Sequence, residues 1–219
     1  MIRLYRFMSA EFGLLSIRDK RIRIGRIEEL NDDFEFIGMA LELKNDRMAL
    51  REMRKHADGG NGIVCMSETW ESPLMWAHYA DSHKGIAMGF DVLEQAFEKV
   101  EYVSERPTLA SMNLDRFDDI TPDDIKRLMR TKAAGWSYER EHRAFLKLEN
   151  GVTMHGTEHF FIPFNDRLKL REVIVGSRFK KSRQDVLDLV DDPTVDVFMA
   201  RGDFEEFKVV RQRQDSMWR

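Results

Sequence analysis

Short runs in which apolar residues alternate with polar ones, or stand together unbroken, recur along the whole chain, each ended by glycine, asparagine, proline or a charge cluster. Runs of this length are strands, because a stable helix needs a longer apolar stripe at a period near four. They lie at 2–7 (IRLYRF), 21–25 (RIRIG), 62–68 (GIVCMSE), 85–91 (GIAMGFD), 141–149 (EHRAFLKLE), 158–164 (EHFFIPF), 170–176 (LREVIVG), 194–200 (TVDVFMA) and 207–212 (FKVVRQ). Helical spacing occurs between some of them: at 10–20, in the Leu-, Met- and Arg-rich stretch up to Lys55, from Pro73, after Thr121-Pro122 up to Gly135, and at 182–190. The two kinds of segment do not alternate in a strict βαβ rhythm. The expectation is therefore an α+β fold with a mixed, mostly antiparallel sheet and flanking helices rather than a doubly wound parallel sheet.

Length and composition narrow this further. With 219 residues, 42% hydrophobic and 34% charged, the chain is expected to fold as one domain spanning 1–219, with a core that needs no cross-links. No repeat, linker or low-complexity tract marks a second unit. The single cysteine, Cys65, excludes an internal disulfide and a cysteine-cluster zinc site, and its apolar setting GIVCM reads as a buried structural thiol. No segment has the apolar length of a membrane span or signal peptide, so a cytoplasmic protein with no membrane partner is expected. A net charge of −4 argues against coating nucleic acid through bulk charge. The basic strips RDKRIRIGR (18–26) and RFKKSR (178–183) read as solvated faces, with phosphate contact as the alternative. The sequence does not give the oligomeric state.

Two segments are dense in aromatic and ionisable residues: MWAHYADSHKG (75–85) and GWSYEREHR (135–143). Their side chains are expected to meet at one site, with the aperiodic segment 104–121 as a lid over it. Glu139 and Glu141, two apart at a strand start, would point the same way. Such an acid pair can orient a hydroxyl or act as general base, and the surrounding aromatics offer stacking surfaces. A purely structural account of the same residues also stands, with Trp76 and Tyr79 anchoring a helix and the charges forming an ion-pair network.

The order LYRF, LNDDFE, MWAHYADSHKGIAMGF, WSYEREHR, EVIVG resembles a bacterial family, domain of unknown function 2971. The family resemblance implies Asn-Asp-Pro where this chain has Asn31-Asp32-Asp33. A second resemblance, to the Arg-Ser-Glu class of ADP-ribosyltransferases, rests on Arg6 in LYRF, Ser67 and Thr69 in CMSET, and the Glu139-x-Glu141 pair. It implies an ADP-ribosyltransferase-like fold and NAD as co-substrate, in an enzyme of bacterial defence or toxin type. Arg6 would then hold the pyrophosphate, and Ser67 the strand geometry beside the nicotinamide ribose. Glu141 would stabilise the oxocarbenium-like transition state, and Glu139 would activate the acceptor. Tyr5, Trp76, His78, Tyr79 and Tyr138 would line the cofactor site.

Two other readings stand beside this one. A non-catalytic sensor would bind a nucleotide or peptide in the aromatic cleft. A metal-dependent hydrolase would use His78, His83 and either Glu139 or His142, although two histidines five apart do not share a helical face. The chain carries no P-loop, GxGxxG, GxSxG or HExxH motif.

Overall fold

The computed structural model describes residues 1–32, 34 and 38–218. The elements run β1 (Ile2–Met8), α1 (Ala10–Arg18), β2 (Arg21–Arg26), α2 (Lys44–Gly60), β3 (Asn61–Ser67), α3 (Pro73–Tyr79) and β4 (Ile86–Val92). There follow β5 (Glu98–Lys99), β6 (Glu101–Val103), α4 (Pro122–Leu128), β7 (Thr131–Ala133) and β8 (Glu141–Lys147). The chain closes with β9 (Val152–Met154), β10 (Thr157–Pro163), β11 (Leu168–Val175), α5 (Arg183–Leu187), β12 (Asp196–Gly202) and β13 (Val209–Arg211). Several helices begin on the residues that favour caps: Ser9, Ser72, Thr121 and Ser182 each accept a main-chain N–H of the first turn, and Pro73 and Pro122 occupy that turn, where their missing N–H costs nothing.

The fold is α+β around a large mixed, mostly antiparallel sheet, in the order β13-β12-β11-β4-β1-β3-β2-β10-β9. The pairing of β11 with β12 is parallel, while β1–β4, β4–β11 and β3–β8 are antiparallel. Strand β4 is buried almost throughout because both faces of the sheet are covered. On one face Leu4, Met88 and Val175 pack with Ile17 of α1 and Val186 of α5. On the other, Phe7, Ile174 and Phe198 pack with Met75 and Trp76 of α3.

Strand β3 has three partners. Strand β8 runs along its whole length, from Asn61 opposite Lys147 to Ser67 opposite Glu141, so β1 and β2 must share the other edge. Strand β1 meets it at Tyr5 opposite Ser67. Strand β2 meets it at Gly25 opposite Ile63 and Arg26 opposite Gly62. Between these two contacts β1 and β2 splay apart, and the fork opens a cleft in the middle of the sheet.

Two expectations from the sequence are corrected. The helix after Thr121-Pro122 stops at Leu128, not Gly135, because Thr131 starts β7, which pairs in parallel with β6, a partner set by tertiary contact. Segment 104–121 is not a lid over the cleft. Its Met112 and Phe117 are buried with Met39, Leu50 and Leu128, so an apolar anchor fixes it against α2. The turn residue Asp33 lies outside the described residues.

Gly85 is required by contact rather than by dihedral freedom. A Cβ there would lie 2.1 Å from the Met8 carbonyl oxygen, which would push β1 and β4 apart. Gly85→Ala is expected to lower stability by about 1–3 kcal/mol, measured by denaturant unfolding. A loss below about 0.5 kcal/mol, the scale of an ordinary surface change, would contradict this packing.

Candidate functional site

The cleft has a volume of about 340 Å³. Arg6 reaches into it from β1, and its Nη1 donates to the Cys65 carbonyl at 3.4 Å. That carbonyl lies on the stretch of β3 between its contacts with β1 and β2. Among the described residues no carboxylate forms an ion pair with Arg6. Burial lowers its pKa; Cys65 partly opposes this, and the nearby guanidinium of Arg23 lowers it further. Arg23 itself pairs with Glu29. Among the described residues the fork thus holds a half-buried cation without a carboxylate partner, an arrangement that favours binding of an anion.

The opposite wall is a buried acid–base cluster. Glu139 ends a 3-10 helix, Ala134–Glu139, and Arg140 follows in the left-handed conformation with φ 45°. This turn, rather than a continuous strand, swings Glu139 and Glu141 toward the same lysine. Lys132 Nζ lies 2.6 Å from Glu139 Oε2 and 3.6 Å from Glu141 Oε2. Arg143 holds Glu141 in a bidentate pair, with Nε and Nη2 each 2.9 Å from one of its oxygens, and donates to the Met129 carbonyl at 2.8 Å. Tyr79 donates to Glu139 and accepts from Asn31 Nδ2 at 2.7 Å. The two dense segments therefore touch, and Asn31 joins them.

The environments of the two glutamates differ. Burial pushes the Glu139 carboxyl up, against the pull of Lys132 and Tyr79. Burial also opposes ionisation of Glu141, but Arg143 and Lys132 outweigh it and hold that carboxyl below its usual range. Paired carboxylates whose environments push them apart are suited to different tasks.

Tyr5, Arg6, Ser67, Tyr79, Glu139 and Glu141 all line the cleft. Ser67 is fully buried. Its hydroxyl donates to the Glu139 carbonyl at 2.6 Å and accepts from Thr69 N–H at 3.3 Å, so it ties β3 to the turn that carries Glu139. Tyr5 has its phenol pushed up by burial and by Glu172.

Trp76 does not line the cleft. It is fully buried, edge-on to Phe7, and its indole donates to the Trp70 carbonyl, because its helical position faces the sheet. His78 and Tyr138 form an exposed pair at 2.8 Å outside the cleft, since they sit on the outer side of the contact between α3 and the 3-10 helix. Cys65, expected to be buried, is partly exposed and lines the cleft, because the splay of β1 from β2 uncovers that part of β3. Among the described residues no group of three or more His, Cys, Asp or Glu could hold a metal ion. His83 stacks on Trp76 instead.

Residues of weight that the sequence did not single out are Lys132, Arg23 and the pairing role of Arg143. Lys132 lies in a stretch that reads as a helix tail. Only the pairing of β6 with β7 brings it inside.

Behind β8, Glu68 collects Lys99 at 2.7 Å, Arg140 at 2.8 Å and His142 at 3.0 Å. Partial burial opposes its ionisation, yet these partners lower its pKa to about 2 from 4.5. The stabilisation from this shift is complete above the unfolded value of 4.5 and is lost as pH falls toward about 2. Acid unfolding of Glu68→Gln is expected to depend less steeply on pH through that window. An unchanged slope would show that the cluster contributes nothing.

The chain matches no curated protein and no solved structure. A family model described as "Protein of unknown function (DUF2971)" matches residues 75–144. The match runs from α3 into β8 and includes Tyr79, Lys132, Glu139, Glu141 and Arg143, while Arg6, Asn31 and Ser67 lie before it. Over residues 75–144 the chain is similar to this family.

Proposed function

We propose that the cleft binds the pyrophosphate of NAD and cleaves the bond between nicotinamide and ribose, passing ADP-ribose to an acceptor or to water. One observation carries this reading: Arg6 is a half-buried guanidinium that forms no ion pair among the described residues, in one cleft with Glu139. A planar guanidinium suits bidentate phosphate binding. The cleft volume is near the low end of the ~300–1,000 Å³ common for ligand sites, so the nicotinamide half would be enclosed and the adenosine half would lie at the open mouth. Nicotinamide leaves with the electron pair of the glycosidic bond. Water or an acceptor hydroxyl adds to the anomeric carbon, and its proton passes to Glu139, whose carboxyl is pushed up by burial.

This assignment moves the chemistry from Glu141 to Glu139. Both carboxylates have both oxygens engaged, but Glu141 is held by a guanidinium that keeps its charge and its pKa is lowered, so it fixes the wall. Glu139 is held instead by Lys132 and the Tyr79 hydroxyl, and its pKa is raised. The same saturation, together with the committed hydroxyl of Ser67, favours a second reading in which the cleft senses a nucleotide without turning it over. Incubation with NAD separates the two. Release of nicotinamide supports the enzyme, binding by calorimetry without release supports the sensor, and neither binding nor release removes both.

A further inference from the structure

The turn from β12 to β13 presents Phe204 and Phe207 to solvent, at 91% and 105% exposure. The turn is ordered rather than loose. Asp203 Oδ1 accepts the main-chain N–H groups of Glu205 and Glu206 at 2.8 and 3.0 Å, and Asp203 N–H donates to the Lys208 carbonyl at 2.9 Å. Two exposed aromatic rings on a rigid tip leave a large apolar area unburied. The same tip carries three carboxylates, of which Asp203 caps the turn, Glu206 pairs with Lys208 at 2.8 Å and Glu205 faces solvent.

A groove of complementary character lies between α1 and the segment around α5. Its volume is about 710 Å³, larger than that of the cleft, and Leu14, Leu15 and Leu189 line it with four cations, Arg18, Lys84, Lys180 and Lys181, against the two carboxylates of Glu11 and Asp81. Lys84 shares Asp81 at 3.7 Å. Among the described residues Lys180 and Lys181 enter no ion pair. The groove thus offers apolar contacts for rings and an excess of positive charge for carboxylates.

Topology places tip and groove at the same end of the sheet. Met8, Ile86 and Val175 are in register across β1, β4 and β11. Ala10, Lys84 and Lys180 follow or precede these strand ends by a few residues. Strand β12 runs parallel to β11, with Val175 opposite Met199, so the tip after Gly202 emerges at that end too. A two-fold axis between tip and groove would let each copy's tip enter the other's groove at once, closing the assembly at two.

We propose that the protein forms a two-fold dimer in which the acidic aromatic tip 203–207 of each copy seats in the α1–α5 groove of a second copy. Phe204 and Phe207 are the apolar anchors. Glu205 and Glu206 meet Lys180 and Lys181, and the contact weakens as salt rises.

Sedimentation across a concentration series tests this on the full chain. The wild type is expected to dimerise. Phe204→Ser with Phe207→Ser should weaken the dimer about tenfold or more, the scale of losing interface anchors, with an unchanged circular dichroism spectrum. Because these positions are solvent-exposed, the fold should tolerate them. Glu205→Lys with Glu206→Lys should also yield a monomer, as should Lys180→Glu with Lys181→Glu, and a variant carrying both charge reversals should recover dimerisation. A wild type that stays monomeric, one that grows into open chains, or a dimer indifferent to all these changes would overturn the proposal.

Discussion

Replacing Arg143 by methionine is expected to destabilise the protein by about 3–5 kcal/mol, the cost of taking its bidentate partner from a buried charge, with Lys132 left 3.6 Å from Glu141. Arg143 is 1% exposed and Glu141 5%, and their bidentate pair fills both carboxylate oxygens. The methionine keeps the length of the side chain but abandons Glu141 and the Met129 carbonyl. The double variant Arg143→Met, Glu141→Met removes both charges and should recover most of the loss, since a buried pair replaced whole by apolar groups is often near neutral. Urea unfolding of the two variants checks this. If the single variant loses less than about 1 kcal/mol, a value typical of an exposed ion pair, the pair does not hold the wall as described.

Glu139→Gln is expected to lower nicotinamide release by about 10²- to 10⁴-fold, the contribution of a positioned general base, while NAD affinity changes little. The amide keeps the shape of the side chain and can still accept from Lys132, but it takes up no proton. Arg6→Gln should act in the opposite way, weakening binding because it removes the phosphate donor. Glu141→Gln should lower stability more than it lowers turnover per folded molecule, because it removes the carboxylate charge that the buried Arg143 guanidinium faces. A Glu139→Gln protein with full turnover, measured beside its unfolding midpoint, would move the chemistry elsewhere.

The cleft also accounts for why the sequence is dense in chemistry at 135–143. GWSYEREHR builds a 3-10 helix, a left-handed turn and the start of β8 in succession, and each of these directs one charged or aromatic side chain differently. Glu139 faces the cleft, Arg140 reaches outward to Glu68 and Arg143 turns under Glu141. A regular strand through the same residues would have sent Glu139 and Glu141 to one face by alternation alone.

Local signals in the sequence determined the strands β1, β2, β3, β4, β8, β10 and β11, the helix starts at Pro73 and Thr121-Pro122, and the mostly antiparallel sheet. Each follows from a short-range preference: alternation, an apolar run, or a side chain able to accept a helix N–H. The pairing of the two dense segments was also legible, because aromatic and ionisable residues gather where a fold buries polar groups together. Only the tertiary structure decided the fork of β1 and β2 on β3, the burial of Trp76, the anchoring of segment 104–121, and the entry of Lys132 beside Glu139. These depend on which strands far apart in the chain become neighbours. Strand β7 is three residues long and has no periodicity to read, so its lysine acquires meaning only from the partners that packing places around it.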